Sequence, residues 1–316
     1  MISALSYIFG GCCSTAYTLE AIVREAPNSG VLLTFAQFLF IGVEGFLYHC
    51  IVNPKALVRP KVPVTRWLII VFFFFLINVL NNVALAYDIS VPVHIILRSS
   101  GPITTMAFGA ALLHKRYNVK QVVSVCTLTL GIIIATLGNA QNVRLQVSSV
   151  THFAIGVGLL VVTQFMGAFM GLLLEKTYAR YKSDWRESLY YTHAFGIPFF
   201  FPLWGKIKEQ WVGLLTVSQT QEPIIGLPRG VFFLLLNTLA QYVCVRGVNG
   251  LGAKQSALAV SIVLNIRKFA SLILSILIFK NELGPAVLFG AFLVFGSSAV
   301  YATASTKKQK LESKKE

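Results

Sequence analysis

Apolar runs of about 20 residues, the length that crosses a bilayer as a helix, recur along the whole of this 316-residue chain. In hydrocarbon a backbone must satisfy its own hydrogen bonds, so such runs are read as membrane helices. Ten segments are predicted: Ile2–Ile22, Val31–Val52, Trp67–Tyr87, Val91–Leu113, Val119–Leu137, Phe153–Leu174, Leu189–Trp204, Val231–Val245, Ser256–Phe279 and Pro285–Ala304. Only 12% of residues are charged, against roughly 25% in soluble domains. This excludes an ordinary soluble enzyme and intrinsic disorder. The first segment has no basic region before it, carries Tyr17 and Glu20, and shows no cleavage site. It is read as a retained helix and not as a secretory signal.

The net charge is +15, from 27 Lys and Arg against 12 Asp and Glu. With ten spans both termini share one side. That side carries Lys55, Arg59, Lys61 and Arg66, then Lys115, Arg116 and Lys120, then Lys176, Arg180, Lys182 and Arg186, then Arg246 and Lys254, and the lysines of the tail. The opposite loops are basic at Arg24, Arg144, Lys206, Lys208, Arg229 and Lys280. The bias is roughly threefold and puts both termini in the cytoplasm. Most of the basic surplus is therefore topology, and no nucleic-acid partner is expected. Cys12, Cys13, Cys50, Cys126 and Cys244 lie in or beside apolar runs without a CxxC pair. They are read as small apolar residues, and no metal site or cofactor is suggested.

A weak repeat divides the chain. Asn78 and Asn82 are spaced like Asn237 and Gln241, Leu112-Leu113-His114-Lys115 resembles Leu277-Ile278-Phe279-Lys280, and Gly131 is matched by Gly296. The near-constant offset predicts two homologous halves of five spans, 1–139 and 140–304, followed by a basic cytoplasmic tail, 305–316. An odd span number inverts the second copy, a transporter plan with substrate held between the repeats. Chance similarity between apolar helices is the competing reading.

Three cations, Arg98, Arg267 and Lys268, fall inside predicted spans. A mid-bilayer charge costs roughly 2.5–3.5 kcal/mol on insertion scales and persists where it meets a polar cavity or an anion. The in-span acids are Glu20 and Glu44, too few to balance three cations, which points to an anionic ligand. His94 and Arg98 are four apart and share a helix face. In the repeat register Arg98 falls at Val263, with Arg267 one turn on. Arg grips phosphate oxygens bidentately and Lys acts as a point charge, so three converging cations suit a diphosphate. Snorkelling to a headgroup, or pairing with Glu20 or Glu44, is the structural alternative.

Asn82, Asn237 and Gln241 are candidates for hydrogen bonds to a base or sugar, and interhelical bonding is the alternative. Tyr17 and Tyr191, with Tyr190, are candidates for stacking on a base, against a role as interfacial anchors. His193 is read as a packed residue. No DxD, HExxH, GxSxG or phosphate-cradling Gly-Lys-Ser/Thr loop occurs, which argues against an enzyme.

Asn81-Asn82-Val83-Ala84-Leu85, Ser90-Val91-Pro92-Val93-His94-Ile95-Ile96-Leu97-Arg98-Ser99 and Lys115-Arg116-Tyr117 resemble the third-to-fourth span region of nucleotide-sugar transporters in solute carrier family 35, subfamily B. Leu264-Asn265-Ile266-Arg267-Lys268-Phe269-Ala270-Ser271-Leu272 is similar to that group's ninth-span Arg-Lys motif, and the branch most resembled is the UDP-N-acetylglucosamine/UDP-xylose transporters. The resemblance implies an all-α membrane protein with ten transmembrane helices in the drug/metabolite transporter fold, a 5+5 inverted repeat, and residence in the Golgi or endoplasmic reticulum membrane. It implies exchange of a UDP-sugar for UMP, with Arg267 and Lys268 on the phosphates, Arg98 across the cavity, and Glu20 biasing the site. A homodimer is compatible with such a chain. The GALNK motif of GDP-mannose transporters is absent from the ninth span.

Overall fold

The computed structural model describes residues 2–26, 29–84, 87, 91–139, 150–219, 222–278 and 284–312. These are helical nearly throughout, in the order α1 (Ile2–Glu25), α2 (Gly30–Val52), α3 (Lys55–Val58), α4 (Val64–Ala84), α5 (Val91–Ser99), α6 (Gly101–Leu113), α7 (Val119–Asn139), α8 (Val150–Tyr181), α9 (Trp185–Ala194), a 3-10 segment (Ile197–Leu203), α10 (Trp204–Gln219), α11 (Arg229–Gly252), α12 (Ala257–Ile278) and α13 (Pro285–Glu312). Six described helical stretches are long and apolar enough to cross a membrane: Gly30–Val52, Val64–Asn81, Val119–Gly138, Val150–Tyr181, Arg229–Gly252 and Pro285–Ser305.

Two of the predicted spans are interrupted. The fourth divides at Ser100 into α5 and α6, because Pro102 enters at the start of α6 and cannot donate a backbone hydrogen bond. The seventh, Leu189–Trp204, ends as an α-helix at Ala194 and continues as 3-10 turns. Pro198 and Pro202 remove two N–H donors from that stretch. Beyond it α10 forms over Trp204–Gln219, where the sequence reading places a loop. This helix carries Lys206, Lys208, Glu209 and Gln210, so hydropathy alone does not mark it. It is fixed by Gln210, whose Oε1 accepts Leu32 N at 2.8 Å.

The chain forms two compact units, each drawing on two separate stretches of the sequence. One comprises residues 1–82 and 173–256, the other residues 83–172 and 257–316.

In the first unit α1 packs against α11. A Cβ at Gly11 would lie 2.5 Å from Cys244 N, so only glycine permits this approach. The close contact joins Cys12 to Cys244 in a disulfide with a Cα–Cα distance of 4.7 Å. The reading of these two cysteines as small apolar residues is thereby corrected, because sequence spacing carries no information on which helix faces meet. Among the described residues Cys13, Cys50 and Cys126 form no disulfide. Phe38, Phe200, Ile207, Leu214 and Leu234 fill one core. A second is built on Val62, Trp67, Ile70 and Tyr191. There the buried Glu187 accepts Val62 N at 3.1 Å and Trp67 Nε1 at 3.4 Å.

In the second unit α7 lies along α13, with Gly131 facing Gly290. Val125, Leu128, Ile132, Leu258, Ile262, Phe269 and Val294 form its core.

Candidate substrate-binding site

The second unit holds the in-span cations. Pro102, as the second residue of α6, has no N–H to offer the carbonyl of Arg98 four residues earlier. That carbonyl accepts Lys268 Nζ from α12 at 3.4 Å. The next carbonyl, of Ser99, accepts Asn265 Nδ2 at 2.7 Å and Thr129 Oγ1 at 3.4 Å. The interruption between α5 and α6 is therefore stitched to α12 and α7 by side chains. It also seats deeply: a Cβ at Gly101 would lie 2.7 Å from Gln164 Nε2 and 3.3 Å from Ser261 Oγ.

Asn265 is 1% exposed and uses both ends of its amide. While Nδ2 holds Ser99, Oδ1 accepts Lys268 Nζ at 3.1 Å. The Lys268 ammonium is thus positioned by two neutral oxygens. Arg98, Arg267 and Lys268 act electrostatically on one another, and His94 is within range of Arg98 and Lys268. The structure brings these four predicted residues together. Apart from Glu312 at the end of α13, the described part of this unit contains no Asp or Glu.

The remaining candidates belong to the first unit. Tyr17 and Glu20 lie on the exposed side of α1. Asn237 is fully buried and satisfied. Its Oδ1 accepts Gln37 Nε2 at 2.7 Å, and its Nδ2 donates to the Thr15 carbonyl at 3.0 Å and to Thr18 Oγ1 at 2.9 Å. It joins α1, α2 and α11. Gln241, one turn further on, is half-buried. Tyr191 is 3% exposed, stacked on Trp67 with 8° between the planes, and donates to the Leu57 carbonyl at 3.4 Å. The geometry puts Asn237 and Tyr191 in packing roles. Glu44 accepts Tyr242 OH at 2.7 Å. The side chain of Asn82 lies outside the described residues. His193 is buried, bonded through Nδ1 to the Leu189 carbonyl at 2.8 Å and packed on Phe38.

Asn265 is the residue that sequence reasoning passed over. It stands within the Arg-Lys motif, but only its bonds to the Ser99 carbonyl and to Lys268 show what it does.

The UAA transporter family matches residues 1–305. The chain belongs to that family. Among the relatives of this UAA transporter, the UDP-N-acetylglucosamine transporter yea4 of Schizosaccharomyces pombe is 61% identical over 305 residues, 96% of each chain. The UDP-xylose and UDP-N-acetylglucosamine transporter of Danio rerio is 35% identical, covering 99% of this chain and 98% of its own. The endoplasmic reticulum GDP-fucose transporter of Drosophila melanogaster is also 35% identical, with 94% and 88% covered. A solved crystal structure matches with a TM-score of 0.67 over 97% of this chain and 99% of that one, at 13% identity, a likeness of fold alone. The family is one of transporters, in line with the missing enzyme motifs.

Proposed function

We propose that this UAA transporter carries UDP-N-acetylglucosamine, with UDP-xylose or UDP-glucuronic acid as related cargo, from the cytosol into the Golgi or endoplasmic reticulum lumen, and returns UMP. The observation that carries the reading is the cation cluster. Arg98, Arg267 and Lys268 share one unit whose described part has no carboxylate near them. A diphosphate brings negative charge to this cluster, with bidentate Arg contacts and a Lys point charge. The names of the fission yeast and zebrafish relatives support the uridine sugar.

The fold supporting this activity has ten spans in a 5+5 inverted repeat with both termini cytoplasmic. Transport proceeds by alternating access. An empty site that gathers three like charges crosses the membrane reluctantly, and a bound nucleotide lowers that barrier, which makes exchange favoured over uniport. Glu20, on α1, is the acid that biases transport.

The test is uptake into liposomes containing the purified protein. UMP-loaded liposomes take up labelled UDP-N-acetylglucosamine faster than empty ones. Equal uptake with and without UMP overturns exchange. A second reading, carriage of another nucleotide anion, is favoured by the fruit-fly relative named for GDP-fucose. Brisk exchange of GDP-fucose or ATP/ADP without UDP-sugar uptake would establish it.

A further inference from the structure

A second group of cations belongs to the first unit. A cavity of about 440 Å³ opens where α2 ends, bounded by the α2–α4 connection and the start of α9. Lys55, Arg59 and Lys61 line it from the connection. Among the described residues these three side chains take no hydrogen bond or ion pair, and all are exposed. Two acids also line the cavity, and they differ in kind. Glu187 is 3% exposed and spent on Val62 N and Trp67 Nε1. Asp184 is exposed on the rim. The accessible charge is therefore three cations to one anion.

The depth of the cavity follows from α2. Leu47, Ile51 and Val52 are exposed apolar side chains, Ile51 at 81%, as expected of a surface wetted by acyl chains. Within a few residues the chain changes to Asn53, Lys55, Arg59 and Lys61. The cavity thus sits where hydrocarbon gives way to headgroups, beside a lipid-facing helix end. On the proposed topology this is the cytoplasmic leaflet, where anionic lipids draw basic juxtamembrane groups.

We infer that this cavity binds the phosphate-bearing headgroup of an anionic phospholipid. Its phosphate meets Lys55, Arg59 and Lys61, and its acyl chains lie against Val52, the exposed apolar residue that lines the cavity. The recognised chemistry is a phosphate, which a soluble anion also presents. The acyl-facing surface at the cavity mouth selects the lipid.

The experiment measures the thermal midpoint of the purified protein in phosphatidylcholine nanodiscs, with and without phosphatidylinositol. Phosphatidylinositol raises the midpoint of the wild type. The variant Lys55→Gln/Arg59→Gln/Lys61→Gln loses that rise, and Arg59→Gln alone reduces it. A variant with the same charge removed from the end of α8, Lys176→Gln/Arg180→Gln/Lys182→Gln, keeps it. An equal rise in all variants, or its loss in the α8 variant as well, overturns the cavity and leaves general surface attraction. An equal rise from inorganic phosphate or glycerophosphoinositol in plain phosphatidylcholine overturns the lipid as ligand. UMP exchange in phosphatidylcholine alone does not depend on this cavity, so its failure would sink the proposed transport function while leaving this inference standing.

Discussion

Asn265 and Lys268, one turn apart on α12, are hydrogen-bonded to each other at 3.1 Å, and the same asparagine holds the Ser99 carbonyl at 2.7 Å. One amide therefore sets both the position of an ammonium and the seat of the α5–α6 interruption. Replacing Asn265 with Leu keeps the volume and removes both bonds. The account expects the KM for UDP-N-acetylglucosamine to rise roughly tenfold, the worth of one bond to a charged group, with a smaller change in maximal rate. Reconstituted transport kinetics check this. An unchanged KM would mean that Lys268 finds its place without Asn265.

Pro102 acts on the neighbouring Arg98 carbonyl, the second acceptor of Lys268 Nζ. In Pro102→Ala the new N–H can close a helical bond to the Arg98 carbonyl, the acceptor that Lys268 now uses. The variant is expected to be more thermostable without ligand and to bind UDP-N-acetylglucosamine several-fold more weakly. Thermal melting and a binding titration on the same sample separate the two effects.

The Asn237 network predicts the opposite pattern. Its three bonds to Gln37, Thr15 and Thr18 are interhelical, and such bonds inside membranes average about 0.6 kcal/mol. Asn237→Leu is expected to lower stability by roughly 2 kcal/mol and to leave the KM unchanged. A selective rise in KM, with stability intact, would return Asn237 to the substrate.

These three residues mark how far the sequence could be read. Six of the predicted spans are legible because hydrocarbon demands length and apolarity. Arg98, Arg267 and Lys268 were legible because a buried charge stands out against such a background. Asn265 and Asn237 are chemically alike and both in-span, yet one positions a cation and the other ties helices together. What separates them is the set of carbonyls and side chains across the contact, which depends on packing between segments far apart in sequence. The same limit hid the Cys12–Cys244 bond, 232 residues apart. The polar helix α10 was hidden for a different reason: it earns its place by packing and not by hydropathy.

The disulfide itself is open to test. Cys12→Ala or Cys244→Ala is expected to lower thermal stability, by roughly 2 kcal/mol on the usual scale for a cross-link, while the α1–α11 packing around Gly11 preserves the fold and transport. Mass spectrometry of the unreduced wild type should find the linked peptide. Free thiols at both positions would remove the bond from the account.

The central claim is that the α5–α12 cluster recognises phosphate. Binding of UDP, UMP and uridine to the purified protein tests it most directly, with Arg267→Ala and Lys268→Ala alongside the wild type. The account predicts that UDP and UMP bind, that uridine binds far more weakly, and that either substitution weakens UDP roughly tenfold to a hundredfold while the uridine affinity stays the same. Uridine binding as tightly as UDP, or both variants binding UDP like the wild type, would contradict it.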